Sequence, residues 1–165
     1  MKSIKFGVIF LMVLFGMQLC AGEEEIKIYR GDSTSWSNVI FTVKGSKWYR
    51  GDSTSWSNIV YTYQKGKWYR GDSTSWSNII YTYQDGKLYR GDSTSWSNIL
   101  LTYREGKVYR RDSTSWSNIV FTIQGKKLYR GDSTSWSNIV LTFSEELRPG
   151  ELLGMVYSLY QGDCM

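Results

Sequence analysis

Aromatic and acidic side chains that could contact a ligand recur every 20 residues along most of this 165-residue chain. Each copy carries the motif Asp-Ser-Thr-Ser-Trp-Ser-Asn. A row of indole rings outside the fold would suit sugar rings or polymer chains. The alternative is partial burial of each indole against the next copy, which is favoured because large exposed apolar patches are usually avoided. The candidate ligand surface consists of Trp36, Trp56, Trp76, Trp96, Trp116 and Trp136 with Asp52, Asp72 and Asp92.

The aspartates would need a counter-charge, because carboxylates stacked from copy to copy repel one another. We expect the arginine two residues earlier to neutralise each aspartate, with calcium as the alternative. One carboxylate per copy is a small ligand set, so no metal site is predicted. Catalysis of glycoside cleavage also needs one carboxyl group with a raised pKa, and equivalent environments give no reason for such a difference.

Histidine is absent from the sequence. This removes the commonest general base and the usual zinc ligand. No glycine-rich phosphate loop occurs either. The sequence therefore predicts a protein that is not an enzyme and uses no cofactor, with a glycan-active protein acting through the aspartates as the rival hypothesis.

The tripeptide Arg-Gly-Asp suggests a further hypothesis, host adhesion of the integrin-binding type. The alternative is that Gly-Asp simply begins a turn, since both residues favour turns. One copy departs from the tripeptide and reads Arg110-Arg111-Asp112. The five intact copies begin at Arg30, Arg50, Arg70, Arg90 and Arg130.

Residues 1–21 have the pattern of a secretory signal peptide, with two lysines, a short apolar run and small residues at its end. Leu19 precedes Cys20, where lipoprotein processing normally requires a small residue, so we expect a secreted or periplasmic protein and not a lipid-anchored one. The mature chain would have no membrane span. Loss of Lys2 and Lys5 lowers the net charge from +5 to about +3, too little to indicate nucleic acid binding.

Only Cys164 would remain after cleavage, so no internal disulfide can form. The lone thiol could pair two chains into a dimer. Stability must then come from packing between copies.

Within one copy, residues 59–63 and 67–70 are rich in β-branched and aromatic side chains and flank Lys65-Gly66. This pattern predicts two short strands joined by a tight turn. Residues 71–78 could form a polar turn or a third strand. The slots that exchange freely among apolar residues, as core positions do, are those of Val60, Tyr61, Tyr63 and Trp68. The slots of Gln64 and Lys65 vary among polar residues, which indicates solvent.

The constant period predicts an all-β fold in which six copies stack as a solenoid over residues 22–143. An array of antiparallel β-hairpins is the alternative. Residues 144–165 should form a helical cap on the open end of the stack, with Pro149 in its first turn. The apolar face of this helix would carry Leu152, Val156, Leu159 and Tyr160.

The copies resemble the tandem Tyr-[Lys/Arg]-Gly-x-Ser-Thr-Ser repeats of uncharacterised bacterial secreted proteins, from Tyr29 to the C-terminus. The resemblance implies a shared architecture and no known activity. Taken together, the sequence predicts an exported, non-catalytic repeat protein that presents an extended binding or structural surface at the cell envelope. Its expected partner is a cell-surface glycan or protein.

Overall fold

Residues 24–161 are described by the computed structural model. Within this range twelve antiparallel strands form one closed barrel, in which strands adjacent in the chain pair and β1 also pairs with β12. The strands are β1 (Glu25–Arg30), β2 (Val39–Lys44), β3 (Lys47–Arg50), β4 (Ile59–Gln64), β5 (Lys67–Arg70), β6 (Ile79–Gln84), β7 (Lys87–Arg90), β8 (Ile99–Arg104), β9 (Lys107–Arg110), β10 (Ile119–Gln124), β11 (Lys127–Arg130) and β12 (Ile139–Phe143).

The predicted solenoid is therefore wrong, and the alternative, an array of antiparallel hairpins, is confirmed in a closed form. Each strand pairs with its chain neighbours, so it does not pair with the equivalent strand of the next copy. Equivalent residues lie two strands apart, roughly 10 Å around the barrel. Equivalent side chains therefore do not lie at strand spacing, as stacked solenoid coils would require.

The hairpin turn explains this pairing. Lys65 and Gly66 both have positive φ, 52° and 76°, as a two-residue type I′ turn requires. Such a turn folds the chain straight back on itself and matches the right-handed twist of its strands. The predicted turn is confirmed, and these turns together form what we call the turn end of the barrel.

The other connection, residues 71–78, contains no strand, so the third-strand alternative is wrong. It bends after the arginine and finishes in one 3₁₀ turn, Trp76–Asn78, which leads into the next strand. The same 3₁₀ turn recurs at the equivalent position of each copy among the described residues. We call this edge of the barrel the loop end.

The predicted interior is confirmed. Tyr61, Tyr63 and Trp68 are buried and face the lumen, while Val60 is half-buried against the same core. Val60 occupies the bulge where the register between β-strands shifts. The turn residues Gln64 and Lys65 are exposed as expected.

A helix, α1 (Pro149–Tyr160), lies inside the lumen and packs against the core side chains of the barrel. The predicted helix is confirmed, but its predicted role as the cap of an open stack is wrong, because the closed barrel has no open sheet edge to cover. Its first residues lie beside Tyr63 and Tyr83 at the turn end, and its last residue, Tyr160, reaches Arg110 at the loop end. Twelve residues of helix span about 18 Å, close to the length of a six-residue strand.

The helix presents glycines where the barrel presents its bulkiest side chains. The indole of Trp68 is fully buried, lies against Gly154, and donates a hydrogen bond of 2.9 Å to the Gly150 carbonyl oxygen. Trp48 packs on Trp68 with ring centroids 4.8 Å apart. Glycine permits this approach because a Cβ on residue 154 would lie 2.1 Å from the Trp68 Nε1 atom.

Charged groups fix the start of the helix at the turn end. The carboxylate of Glu151 is buried and accepts hydrogen bonds from the backbone N–H of Arg148, at 3.1 Å, and from the Arg148 guanidinium. That guanidinium lies 5.6 Å above the centre of the Tyr63 ring. Burial, followed by the nearby Glu151 charge, raises the pKa of Tyr63 above its usual value of 10.0.

Residues 1–21, Cys20 and Cys164 lie outside the described residues, so the signal peptide, the anchoring alternative and the disulfide-linked dimer stay predictions. None of the helices within residues 24–161 has the length and apolarity needed to cross a bilayer.

The contact between glycine and indole gives the first prediction. Gly154→Ala should lower the free energy of unfolding by about 1–3 kcal/mol, because the added methyl group overlaps a buried ring that cannot swing into solvent. The matched control is Ser158→Ala one turn later. Among the described residues the buried Ser158 Oγ has no hydrogen-bond partner, so its removal should leave stability unchanged or raise it. Urea unfolding measures both, and equal stability of Gly154→Ala and wild type would contradict the packing described.

A second prediction concerns Arg111, which has φ of 56°. A non-glycine residue is disfavoured in this left-handed region by about 1 kcal/mol, so Arg111→Gly should stabilise the protein by about that amount. The reciprocal change, Gly71→Arg, should destabilise it comparably, because Gly71 has φ of 67°. Thermal and urea unfolding of both variants check the pair, and a change of the same sign in both would refute the backbone explanation.

A third prediction follows from the raised pKa of Tyr63. The native state favours the neutral phenol, so this stabilisation is fully present below about pH 10 and is lost as the pH rises further. Tyr63→Phe should therefore make the alkaline decline in unfolding free energy shallower. An unchanged slope in Tyr63→Phe would count against the proposed cause.

Candidate functional site

The loop end carries the predicted ligand surface on loops held by their own side chains. In the loop of residues 51–58, the Ser53 hydroxyl oxygen accepts hydrogen bonds from the Ser55 backbone N–H at 3.2 Å and from the Asn58 side-chain amide at 2.8 Å. The hydroxyls of Ser55 and Ser57 lie 3.3 Å apart. These bonds pair backbone and side-chain polar groups within the loop, so the loop keeps one conformation without a hydrophobic core of its own. The invariant polar motif thus fixes the loop conformation.

Each loop presents its tryptophan to solvent. The six loop tryptophans, Trp36, Trp56, Trp76, Trp96, Trp116 and Trp136, are 77–80% exposed. The favoured prediction of partial burial against the next copy is therefore wrong. The reason is the hairpin geometry, which separates neighbouring loops by two strands, too far for one indole to pack under the next loop.

The aspartates are neutralised by lysines and not by the predicted arginines. Asp72 pairs with Lys47, which lies on the outer face of β3, one copy earlier in the chain. The same lysine Nζ lies 3.2 Å from the Thr62 hydroxyl. Among the described residues six such pairs link each copy to the next around the barrel: Lys27–Asp52, Lys47–Asp72, Lys67–Asp92, Lys87–Asp112, Lys107–Asp132 and Lys127–Asp32.

Three of these ion pairs change the pKa of the lysine side chain. The hydrogen bond from each lysine to its aspartate raises the lysine pKa above its usual 10.5 at Lys27, Lys87 and Lys127. Because both partners are partly exposed, solvent screens each pair strongly. They bridge each copy to the next and leave Asp52, Asp72 and Asp92 engaged instead of open to a ligand.

The arginine of each Arg-Gly-Asp copy points the other way, toward the lumen. Arg70 lies opposite Tyr61 and Arg50 opposite Phe41 across their hairpins, and both of these aromatic residues belong to the core. Alternation along a strand therefore directs the arginines to the inner edge of the loop end. These six rim arginines are exposed: Arg30, Arg50, Arg70, Arg90, Arg110 and Arg130.

The tripeptide is therefore split between two faces, with its arginine at the barrel mouth and its aspartate bound to a lysine outside. Integrin-type adhesion needs a cation and a free carboxylate presented together. The adhesion hypothesis stays untested, and the geometry offers no support for it.

A cavity of about 800 Å³ opens at the loop end between α1 and strands β10–β12. Its walls are mainly aliphatic and aromatic side chains, with three rim arginines at the opening. Sequence reasoning missed it, because it depends on where the helix lies inside the barrel. It is lined in part by Arg30, Arg110, Arg130, Val120, Phe121 and Val156.

Within residues 24–161 no group of three or more potential metal-ligating side chains occurs. The loop end thus combines three chemical features: exposed indoles, hydroxyls of serine and threonine, and a cationic mouth above an apolar cavity. This arrangement suits binding of a neutral polyhydroxylated or an anionic ligand.

No curated protein sequence and no solved structure gave a significant match to the chain. The model of the 6-fold beta flower protein family matches residues 21–152. That span contains all six copies of the repeat and the beginning of α1, in agreement with six hairpin-forming repeats closed into one barrel. The chain belongs to the 6-fold beta flower protein family.

Proposed function

We propose that this protein is an exported, non-catalytic glycan-binding protein that holds carbohydrate chains at the cell envelope through its six loop tryptophans. The supporting observation is their exposure, 77–80% at every copy. Large aromatic side chains are rarely left in water to this extent without a binding partner. Six equal cases around one end of the barrel make incidental exposure a poor explanation.

The chemistry of the loop suits a sugar. An indole face packs against the apolar face of a pyranose ring, while nearby hydroxyls bond to the sugar hydroxyls. Thr74, Ser75 and Ser77 are exposed beside Trp76 and can supply such bonds. The sequence keeps this set unchanged in every copy, so each loop offers the same small binding surface.

The rigidity of the loop favours binding. The hydrogen bonds from Ser55 and Asn58 to Ser53 hold the backbone on both sides of Trp56. A platform ordered in advance loses less conformational entropy when ligand binds. Each single loop is a shallow site with low affinity for one sugar. A polymeric glycan that engages several loops at once binds far more tightly.

Binding without catalysis accords with the aspartates, the acidic groups that could act on a glycan. Each lies in an ion pair with a lysine, so a carboxylate oxygen that would have to reach the glycosidic bond is already engaged. The six copies also repeat one environment, so no pair of carboxylates differs in the way that acid–base catalysis needs.

The proposal predicts that binding to a glycan array weakens as more of the loop tryptophans are replaced. Replacing all six loop tryptophans with alanine should reduce binding about 10²–10⁴-fold, whereas Trp76→Ala alone should weaken it only severalfold. The matched control, Lys65→Ala at the exposed turn end, should bind like wild type. Thermal unfolding should change little in all of these variants, because the removed side chains are exposed.

Two outcomes would contradict the proposal. One is wild-type protein that binds no glycan on the array. The other is full binding by the sixfold alanine variant, which would assign recognition to a different surface.

A further inference from the structure

The helix lies off-centre in the barrel. It approaches β6, β7 and β8 most closely, and the loop-end cavity lies on the opposite side, against β10–β12. Ile99 and Leu100 on β8, the strand nearest the helix, are buried. The equivalent residues of the other copies, Ile119 and Val120 among them, are half-buried.

The space is apolar and large enough for a ligand. Small-molecule sites commonly measure roughly 300–1,000 Å³, and this cavity measures about 800 Å³. Phe121 remains only half-buried in its wall, although the corresponding residues Phe41, Tyr61 and Leu141 are buried. Water in contact with these side chains would be displaced favourably by an aliphatic chain.

The opening carries unbalanced positive charge. Arg30 and Arg130 have no carboxylate partner among the described residues, and no acidic side chain lines the cavity there. Arg110 donates a hydrogen bond of 3.1 Å to the hydroxyl of Tyr160, which holds it at the rim. The C-terminal end of α1 supplies only a partial negative charge near these arginines. Like charges roughly 10 Å apart repel across the mouth, and a bound anion would relieve that repulsion.

We propose that the loop-end cavity binds a single-chain anionic amphiphile, a long-chain carboxylate, with its hydrocarbon chain between α1 and β10–β12. The carboxylate pairs with Arg30 and Arg130, and Arg110 completes the cationic rim. Charge complementarity at the mouth and apolar walls below it select this class of ligand over sugars and over cationic amphiphiles. The site is separate from the loop tryptophans, which do not line the cavity, so it goes beyond the proposed glycan binding.

Calorimetric titration with dodecanoate, below the concentration at which it forms micelles, tests the proposal. Wild type should bind one equivalent, and affinity should fall as salt is added. Dodecyltrimethylammonium, with the opposite charge on the same chain, should not bind. The double variant Arg30→Gln/Arg130→Gln should bind dodecanoate at least about tenfold more weakly, because it removes both charge-assisted hydrogen bonds to the head group.

The chain offers a matched control. Arg50→Gln/Arg70→Gln removes the same charge from the same rim, on the side away from the cavity, and should keep the wild-type affinity within about twofold. Val120→Trp fills the cavity from its wall and should abolish binding while thermal unfolding still shows a folded protein. If Val120→Trp does not fold, the two arginine doubles decide the question alone.

Three results would overturn the proposal: no binding of dodecanoate by wild type, equal losses in the two arginine doubles, or equal binding of the cationic amphiphile. Equal losses would indicate general attraction to a basic surface.

A chain ending at Gln161 should bind like wild type. Binding by that shortened chain alone would also overturn the proposal, because residues 162–165 would then be the natural occupant.

Discussion

A barrel of twelve strands has a lumen too wide for its own side chains to fill, and the helix that occupies it is the element on which the rest of the structure depends. Eight strands leave an interior that side chains can just pack. Here the additional space is taken by α1 (Pro149–Tyr160), with Gly154 against Trp68 and Gly150 bonded to the same indole. Without this helix the buried aromatic side chains of the lumen would face water. The barrel and its filling therefore stabilise each other.

Packing around a single helix explains why the inward-facing residues differ between copies while most outward-facing residues do not. The outer face repeats one set of contacts, in which Thr62 donates a hydrogen bond to the Gly71 carbonyl oxygen and Lys47 pairs with Asp72. The threonine, lysine and aspartate are the same in every copy. The slot of Gly71 holds arginine in one copy, where the Arg111 carbonyl oxygen accepts the same bond from Thr102. The lumen cannot repeat, because a helix presents a different surface to each hairpin. The slot of Trp68 accordingly holds Trp, Leu, Val or Ile in the different copies.

This division separates what the sequence could predict from what it could not. The turn at Lys65-Gly66, the strands and the inward slots are local properties, so periodicity and glycine placement were sufficient to find them. Closure was not predictable, because a constant period suits an open stack and a ring equally well. The exposure of Trp76 and the pairing of Asp72 with Lys47 depend on how far apart the hairpins lie, and a repeat period does not specify that distance. The loop-end cavity depends on the position of the helix, which no single segment encodes.

Closure through β1 and β12 also constrains how the gene can change. An open stack of modules can gain or lose one by unequal recombination, since each end remains an end. In this ring the strand before the first loop completes the hairpin of the last copy, with Ile28 opposite Phe143. One extra copy would insert two strands and widen the lumen around the helix. One copy fewer would narrow the lumen and crowd the helix against the barrel wall. The number of copies and the helix that occupies the lumen are therefore coupled, and a change in one would require a compensating change in the other.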